Sequence, residues 1–309
     1  MTWSADGLIA VTGASGRLGS RLALRLAAEG AHQRLVVRDA ARAPRLDDGR
    51  PLPECEVAVA DGYADHAGMR AAFEGTRTAF LVSARESADR VTEHVAAIDA
   101  AVAAGVERIV YVSFQGAAPD AVFTFARDHF HTEEHLRRSG VRWTVLRDSL
   151  YHQALASFVG ADGVIRGPAG TGRVASVSHD DVADVATAVL LDEDPARHDN
   201  VVYDVTGPEA LTLAEVAGLL TRVAGRNIRY EPESVPEAYA SRAGYGASAV
   251  ELAGWVSSYE AIAAGQVATV SHDVERLVGR PARSFAQWLD DYPAEWEHLR
   301  SGTDAAPEP

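Results

Sequence analysis

Between Val11 and Ser20 the chain runs Thr12-Gly13-Ala14-Ser15-Gly16-Arg17-Leu18-Gly19 and joins the short apolar run Leu8-Ile9-Ala10-Val11 to a helical pattern. This spacing restricts the local fold to strand, tight turn and helix. Gly13 supplies the turn, Gly16 lets backbone approach a pyrophosphate, and Gly19 lets the helix sit against the strand. The first N–H groups of a helix have no intrahelical partner and carry the positive end of its dipole, so a diphosphate suits them. A purely structural turn is the alternative, and the context decides against it. Leu18, Leu22 and Leu26 recur at i+4 beside Ala23 and Ala27, and Gly30 stops the pattern.

The next apolar run, Leu35-Val36-Val37, ends at Arg38, where a chain selecting NAD places an acidic residue on the ribose hydroxyl. A guanidinium offers forked donors to a 2′-phosphate instead, and Arg17 in the turn is a second arm. The expected cofactor is therefore NADPH. A solvated arginine at a strand end, or Asp39 turned to the ribose, are the competing readings.

Composition narrows the class. With 309 residues, 47% of them hydrophobic, the chain suffices for one large α/β domain and a smaller lobe. A net charge of -15 argues against nucleic acid or an anionic membrane as partner. No stretch is long and apolar enough to span a bilayer, and the amino terminus lacks the pattern of a signal peptide, so a cytoplasmic location is expected. The lone Cys55 reads as a small buried residue. All 29 basic residues in the Lys+Arg count are arginines. Schiff-base, P-loop and tyrosine-assisting lysines are thereby excluded.

Short apolar runs alternate with helical patterns, the rhythm of a parallel sheet covered on both faces. Strands are predicted near Leu8–Val11, Arg34–Val37, Glu56–Ala60, Thr78–Val82, Arg108–Ser113 and Trp143–Arg147. Helices are predicted over Arg90–Ala104 and Asp128–Ser139, each stopped by a glycine. The expected fold is an α/β Rossmann-like, doubly wound sheet of order 3-2-1-4-5-6, its ligand crevice at the carboxyl ends of the strands. Residues 1–150 form the dinucleotide-binding domain, with a returning strand near 201–206. Residues 151–309 are mainly a smaller interleaved substrate lobe in which Thr212 and Glu215 make a capping box. The segment 303–309 is expected to be a disordered tail.

Several stretches together carry a family resemblance over nearly the whole chain: Thr12–Gly19, Val37-Arg38, Ala60-Asp61-Gly62-Tyr63, Tyr111-Val112-Ser113, His129…Thr132-Glu133, Leu146–Tyr151 and Ser257–Gly265. The chain resembles the NmrA-like, atypical branch of the short-chain dehydrogenase/reductases, nearest in pattern to NADPH-dependent quinone oxidoreductases and triphenylmethane reductases. The resemblance implies cofactor contacts from Thr12, Gly13, Ser15, Gly16, Arg17, Leu18 and Arg38. It implies an adenine contact from Asp61 with Gly62 and Tyr63 beside the ring, although a turn aspartate is the plainer reading of Asp61. Leu81, Val82 and Ser83 would follow the inner ribose, Ser113 and Phe114 the crevice floor, and Asp148 and Ser149 the nicotinamide region. The family pattern carries Asn where this chain has Asp148, so an amide contact there is in doubt.

Ordinary short-chain dehydrogenases pair a tyrosine with a lysine four residues later. The corresponding positions are Phe125 and His129. Phenylalanine cannot donate a proton. Glu133 at i+4 from His129 is placed to orient its imidazole. The resemblance sets His129 near the nicotinamide ribose or the reacting carbon, with a packed polar histidine as the alternative. Tyr151 is the candidate hydroxyl after the sixth strand, as hydrogen-bond donor or aromatic wall, and Tyr259 is a candidate for closing the substrate pocket. Hydride transfer to a conjugated, electron-poor small molecule requires little beyond proximity and orientation. A reductase of quinone-like acceptors is therefore expected, with a non-enzymatic NADP(H)-binding sensor of the NmrA type as the alternative and an epimerase or lyase third. The segment His131-Thr132-Glu133-Glu134-His135 fits an inverted zinc-protease pattern. It lies inside a helix that the dinucleotide reading already explains, and no third ligand follows, so no metal is expected. One chain does not reveal a self-complementary surface, which leaves a homodimer open.

Replacing Arg38 by Ala is expected to weaken NADPH by about tenfold or more, through loss of charge-assisted bonds to the 2′-phosphate. NADH affinity should change far less. Fluorescence titration of both cofactors checks this, and equal losses would refute the assignment.

Overall fold

A computed structural model describes residues 7–300. The expected tail 303–309 lies outside the described residues. Contacts divide the chain into two units. One holds the residues through Phe114 with Asp128–Arg147 and Val182–Tyr203; the other holds Gln115–Arg127, Asp148–Asp181 and the chain from Asp204 onward. A single cut at residue 150 therefore does not describe the division. Segment 115–127 leaves the first unit, and 182–203 returns to it.

The first unit contains β1 (Leu8–Val11), α1 (Arg17–Ala28), β2 (Gln33–Val37), β3 (Cys55–Val59), α2 (His66–Phe73), β4 (Thr76–Leu81), α3 (Arg90–Ala103) and β5 (Arg108–Phe114). It continues with most of α4 (Thr124–Arg138) and of β6 (Arg142–Asp148). The sheet order is β3-β2-β1-β4-β5-β6, extended past β6 by the returning strand Val201–Val205. The pairs β1–β2, β1–β4, β2–β3 and β4–β5 are parallel. The Rossmann-like expectation thus holds, with a seventh strand at the far edge.

Burial explains the patterning. β5 is buried at every position, as a strand covered on both faces must be, whereas the edge strand β3 exposes Glu56, Val57 and Val59 and buries no residue fully. Cys55, expected to be buried, is half-buried on this edge strand. Met69 and Phe73 of α2, Ile98 of α3 and Leu136 of α4 join Val36, Ile109, Tyr111 and Val145 of the sheet in one core. Leu18, Leu22 and Leu26 of α1 are buried as their i+4 spacing requires.

In the second unit, α5 (His152–Ser157) follows β6, then β7 (Val164–Gly167) and β8 (Arg173–Val174). Next come α6 (His179–Leu190), most of which lies in the first unit, and the returning strand, β9. The chain ends with β10 (Leu211–Thr212), α7 (Leu213–Ala224), β11 (Arg229–Pro232), α8 (Val235–Arg242), α9 (Ala249–Ala263), α10 (Asp273–Val278) and α11 (Phe285–Asp291). β7 pairs parallel with β11, and β8 antiparallel with β10. Thr212 and Glu215 form the expected capping box at the start of α7. No helix among the described residues is long and apolar enough to cross a membrane.

α4 begins at Thr124, four residues before the expected start at Asp128. The cause is tertiary. The Thr124 N–H donates to Ser257 Oγ at 3.1 Å, and Phe125 is buried where a Cβ on Gly254 would approach its ring to 2.1 Å. A helix start capped from α9 leaves no local signal.

Glu133 anchors α4 to the sheet within the first unit. Its fully buried carboxylate accepts from Ser113 Oγ (2.6 Å), Arg147 Nε (2.8 Å) and Nη2 (2.7 Å), and Arg137 Nη2 (2.7 Å). Removing one member of a buried, hydrogen-bonded ion cluster leaves uncompensated charge. Glu133→Ala is therefore expected to cost about 3–5 kcal/mol. The half-exposed partner change Arg137→Ala should cost about 1 kcal/mol or less. Urea denaturation of both variants checks the ranking.

Candidate functional site

The glycine turn takes the conformation its sequence requires. Gly13 has φ +59°, and a Cβ at residue 19 would stand 2.3 Å from the Gly13 carbonyl oxygen, so the start of α1 is pressed against the end of β1. The N-cap, Gly16, supplies no side-chain bond, and the first turn holds no acidic residue. Gly13, Gly16 and Arg17 are exposed and Ser15 is half-buried. An uncapped, solvent-facing helix start without a competing carboxylate fits the diphosphate of a dinucleotide. Leu18 is buried in the core and can offer only its backbone.

Thr12 has another task. Its buried Oγ1 donates to the Phe80 carbonyl (3.1 Å), accepts from the Val82 N–H (3.0 Å) and lies 2.6 Å from the Tyr63 hydroxyl. The Tyr63 hydroxyl in turn donates to the Val82 carbonyl at 2.5 Å. The tie joins the carboxyl ends of β1 and β4 to the turn after β3. Tyr63, expected beside an adenine ring, spends its hydroxyl on this tie, and burial pushes its phenol pKa up. Asp61 and Arg38 are exposed, and no hydrogen bond or ion pair among the described residues engages either side chain. Both are available where the adenosine end is expected. Leu81 is buried, and Val82 and Ser83 are half-buried at the end of β4.

Behind these loops lies a buried polar chain. Arg90 Nη2 donates to His129 Nε2 at 3.1 Å. Since arginine only donates, His129 bears its hydrogen on Nδ1 and donates it to the Tyr111 hydroxyl at 2.8 Å. The Ala84 N–H likewise donates to His94 Nε2 (2.7 Å), so His94 Nδ1–H donates to Thr132 Oγ1 (2.8 Å), which donates to the Asp128 carbonyl (2.8 Å). Both imidazoles are neutral. Burial, reinforced by the Arg90 charge, drives His94 down to about 3 and His129 well below its ordinary value. The sequence-level pairing of His129 with Glu133 is corrected: Glu133 is occupied by Ser113, Arg147 and Arg137, and Arg90 and Tyr111 orient His129. Ser113, expected on the crevice floor, likewise donates its hydroxyl to Glu133. Phe114 stacks on His129 at 6.2 Å between ring centroids. Arg90, absent from the expected site residues, carries no local motif; only its burial marks it.

In the second unit, Asp148 closes β6, 5% exposed, and accepts the Tyr151 hydroxyl proton at Oδ2. Tyr151 is half-buried and stacks on His179 with centroids 3.6 Å apart and planes at 10°. His179 Nδ1 is held by Gln153 Oε1 at 2.9 Å. Ser149 is buried, and its Oγ has no hydrogen-bond partner among the described residues. Tyr259 packs on Phe158, with the Arg242 guanidinium 5.0 Å over its ring. Only 4% of it is exposed, so within this unit it packs as a core residue. His135, one end of the zinc-like pattern, pairs with Asp99 at 2.7 Å.

A model of the NmrA-like family matches residues 5–275. The (4-alkanoyl-5-oxo-2,5-dihydrofuran-3-yl)methyl phosphate reductase of Streptomyces griseus is 36% identical over 92% of this chain and 98% of its own. The crystal structure of NADPH-dependent quinone oxidoreductase from Escherichia coli complexed with NADPH superposes with a TM-score of 0.80 at 29% identity, covering 92% of this chain and 99% of that one. Triphenylmethane reductase of Citrobacter sp. complexed with NADP(H) gives a TM-score of 0.77 at 27% identity, with 92% and 99% covered.

The two neutral imidazoles make stability pH-dependent with a defined sign. Above about pH 6.5 neither the folded nor the unfolded histidines bind a proton, so nothing is lost. As pH falls below that value, the unfolded imidazoles take protons that the folded ones refuse. Stability should then drop by about 1.4 kcal/mol per pH unit for each imidazole, down toward pH 3 for His94. Denaturation at pH 7, 6 and 5 is expected to show this slope, and His94→Gln to flatten it by about one imidazole's share.

Proposed function

The chain belongs to the NmrA-like family, and from that premise we infer that it is an NADPH-dependent reductase of a conjugated, electron-poor small molecule. What carries the reading is the uncapped, glycine-lined start of α1 together with the unengaged Arg38 guanidinium. The helix start receives the diphosphate, and Arg38 receives the 2′-phosphate that distinguishes NADPH from NADH. Asp61 accepts from the adenine amino group. Bound NADPH supplies a hydride.

The residues of this chain argue for the acceptor class. Phe125 occupies the place of the usual tyrosine and is buried against α9, and the chain has no lysine. His129 is neutral, enclosed, and bonded at both nitrogens, so it positions Arg90 and Tyr111 and does not deliver a proton at neutral pH. A simple ketone, whose alkoxide needs an acid as it forms, suits this site poorly. An acceptor whose added electron pair is delocalised suits it well. Quinones, triphenylmethane compounds and alkanoyl-substituted oxo-dihydrofurans, the compounds in the relatives' names, fit that description. Tyr151, whose hydroxyl hydrogen is donated to Asp148, offers the acceptor an aromatic surface.

Stopped-flow oxidation of NADPH against quinones, triarylmethane dyes, acyl dihydrofuranones and simple ketones tests the reading. Oxidation by at least one conjugated acceptor and none by simple ketones is expected. Tight NADPH binding with no acceptor oxidising it would overturn the reading in favour of a sensor.

A further inference from the structure

We propose that Arg90 and His94 are positioning residues for the cofactor: one turn of α3 grips both backbone groups of Ala84 and thereby holds Ser83, the residue before it, ready for the inner ribose of the dinucleotide. The inference rests on the cofactor assignment above and adds what shapes the second half of its site.

The sheet order locates the segment. β1 and β4 are neighbours at the point where the strand order reverses, and a dinucleotide lies across the carboxyl ends of the strands there. With the diphosphate at the start of α1, and the adenosine end at Arg38 and Asp61 after β2 and β3, the nicotinamide riboside falls on the β4 side. Just past β4 the chain is pinned twice. The Val82 N–H donates to Thr12 Oγ1 at 3.0 Å, and the Val82 carbonyl accepts from the Tyr63 hydroxyl at 2.5 Å. Two residues on, the Ala84 N–H donates to His94 Nε2 at 2.7 Å, and the Ala84 carbonyl accepts from Arg90 Nε at 3.0 Å. Arg90 and His94 stand at i and i+4 of α3, on one face of the helix. Both are braced against α4, since Arg90 Nη2 donates to His129 Nε2 and His94 Nδ1 to Thr132 Oγ1. Arg90 is 6% exposed and His94 fully buried, which keeps water from these bonds.

Peptide planarity then orients Ser83. The Val82 carbonyl and the Ser83 N–H belong to one trans peptide, the Ser83 carbonyl and the Ala84 N–H to the next, and in each the two groups point opposite ways. Because the Val82 carbonyl is turned to Tyr63 and the Ala84 N–H to His94, the Ser83 N–H and carbonyl are turned away from those partners. Ser83 is half-buried, and no hydrogen bond among the described residues engages it. A donor and an acceptor left unspent on one fixed residue suit the paired hydroxyls of a ribose, each of which both donates and accepts. A segment already held in place loses little freedom when the ligand arrives.

A half-ligand separates this role from a general loss of fold. NADPH and 2′,5′-ADP, which lacks the nicotinamide riboside, are titrated against wild type, His94→Leu and His94→Gln, with melting temperature followed. His94→Leu removes the acceptor of the Ala84 N–H and is expected to weaken NADPH about tenfold, the scale of an unsatisfied buried donor, with 2′,5′-ADP within about twofold of wild type. His94→Gln keeps an amide oxygen for that N–H and should return NADPH to within about threefold of wild type. If His94→Leu does not fold, Thr132→Val is measured in its place: it removes the acceptor that fixes the imidazole, and about a threefold loss confined to NADPH is expected. Equal losses on the two ligands, an NADPH affinity unchanged from wild type, or His94→Gln no better than His94→Leu would overturn the clamp and leave the reductase reading standing. Failure of wild type to bind NADPH would overturn both.

Discussion

The arrangement of the first unit depends on one tie, in which Thr12, Tyr63 and the Val82 backbone bond one another at the carboxyl ends of β1, β3 and β4. Parallel strands of a doubly wound sheet are joined through helices, so nothing local holds their ends in register with one another. A buried hydroxyl that both donates and accepts does so here. It sets the Gly13–Gly19 turn against the end of β4. The close approach of Gly19 to the Gly13 carbonyl then presents the first turn of α1 without a cap. A helix start left without its own carboxylate or hydroxyl keeps its first N–H groups unspent and suited to an anion.

The polar interior behind this cradle is fully determined by donor and acceptor counting. Arg90 cannot accept, and the Ala84 N–H cannot accept, so each fixes the tautomer of the imidazole it meets. His129 therefore serves as a rigid spacer between a guanidinium and a phenol. Glu133, placed one helical turn away, belongs to a different cluster that fastens α4 to β5 and β6. The two clusters share a helix and have separate tasks. One holds two neutral imidazoles beside the buried Arg90 guanidinium; the other satisfies a buried carboxylate.

The proposed reduction of a conjugated acceptor needs less from the protein than reduction of a simple carbonyl does. The Tyr–Lys positions are filled by Phe125 and His129, both absorbed into packing.

The sequence alone determined the order of elements, the sheet order through β6, the glycine turn and the returning strand, because these follow from periodicity, turn chemistry and crossover handedness acting between near neighbours. It also marked Arg38 and Asp61, whose side chains stay exposed. Only the tertiary structure decided which polar groups are spent on the protein itself. Thr12 and Tyr63 lie 51 residues apart, Ser113 and Glu133 20 apart, and Thr124 is capped by Ser257 across 133. Spacing along a helix suggested that Glu133 would serve His129. Arg147 of β6, Ser113 of β5 and Arg137 one turn along the same helix take that carboxylate instead, because a carboxylate removed from water binds the strongest donors within reach. Tyr259 shows the same limit, since its place in the core depends on Phe158 and Arg242, which no local pattern brings to it.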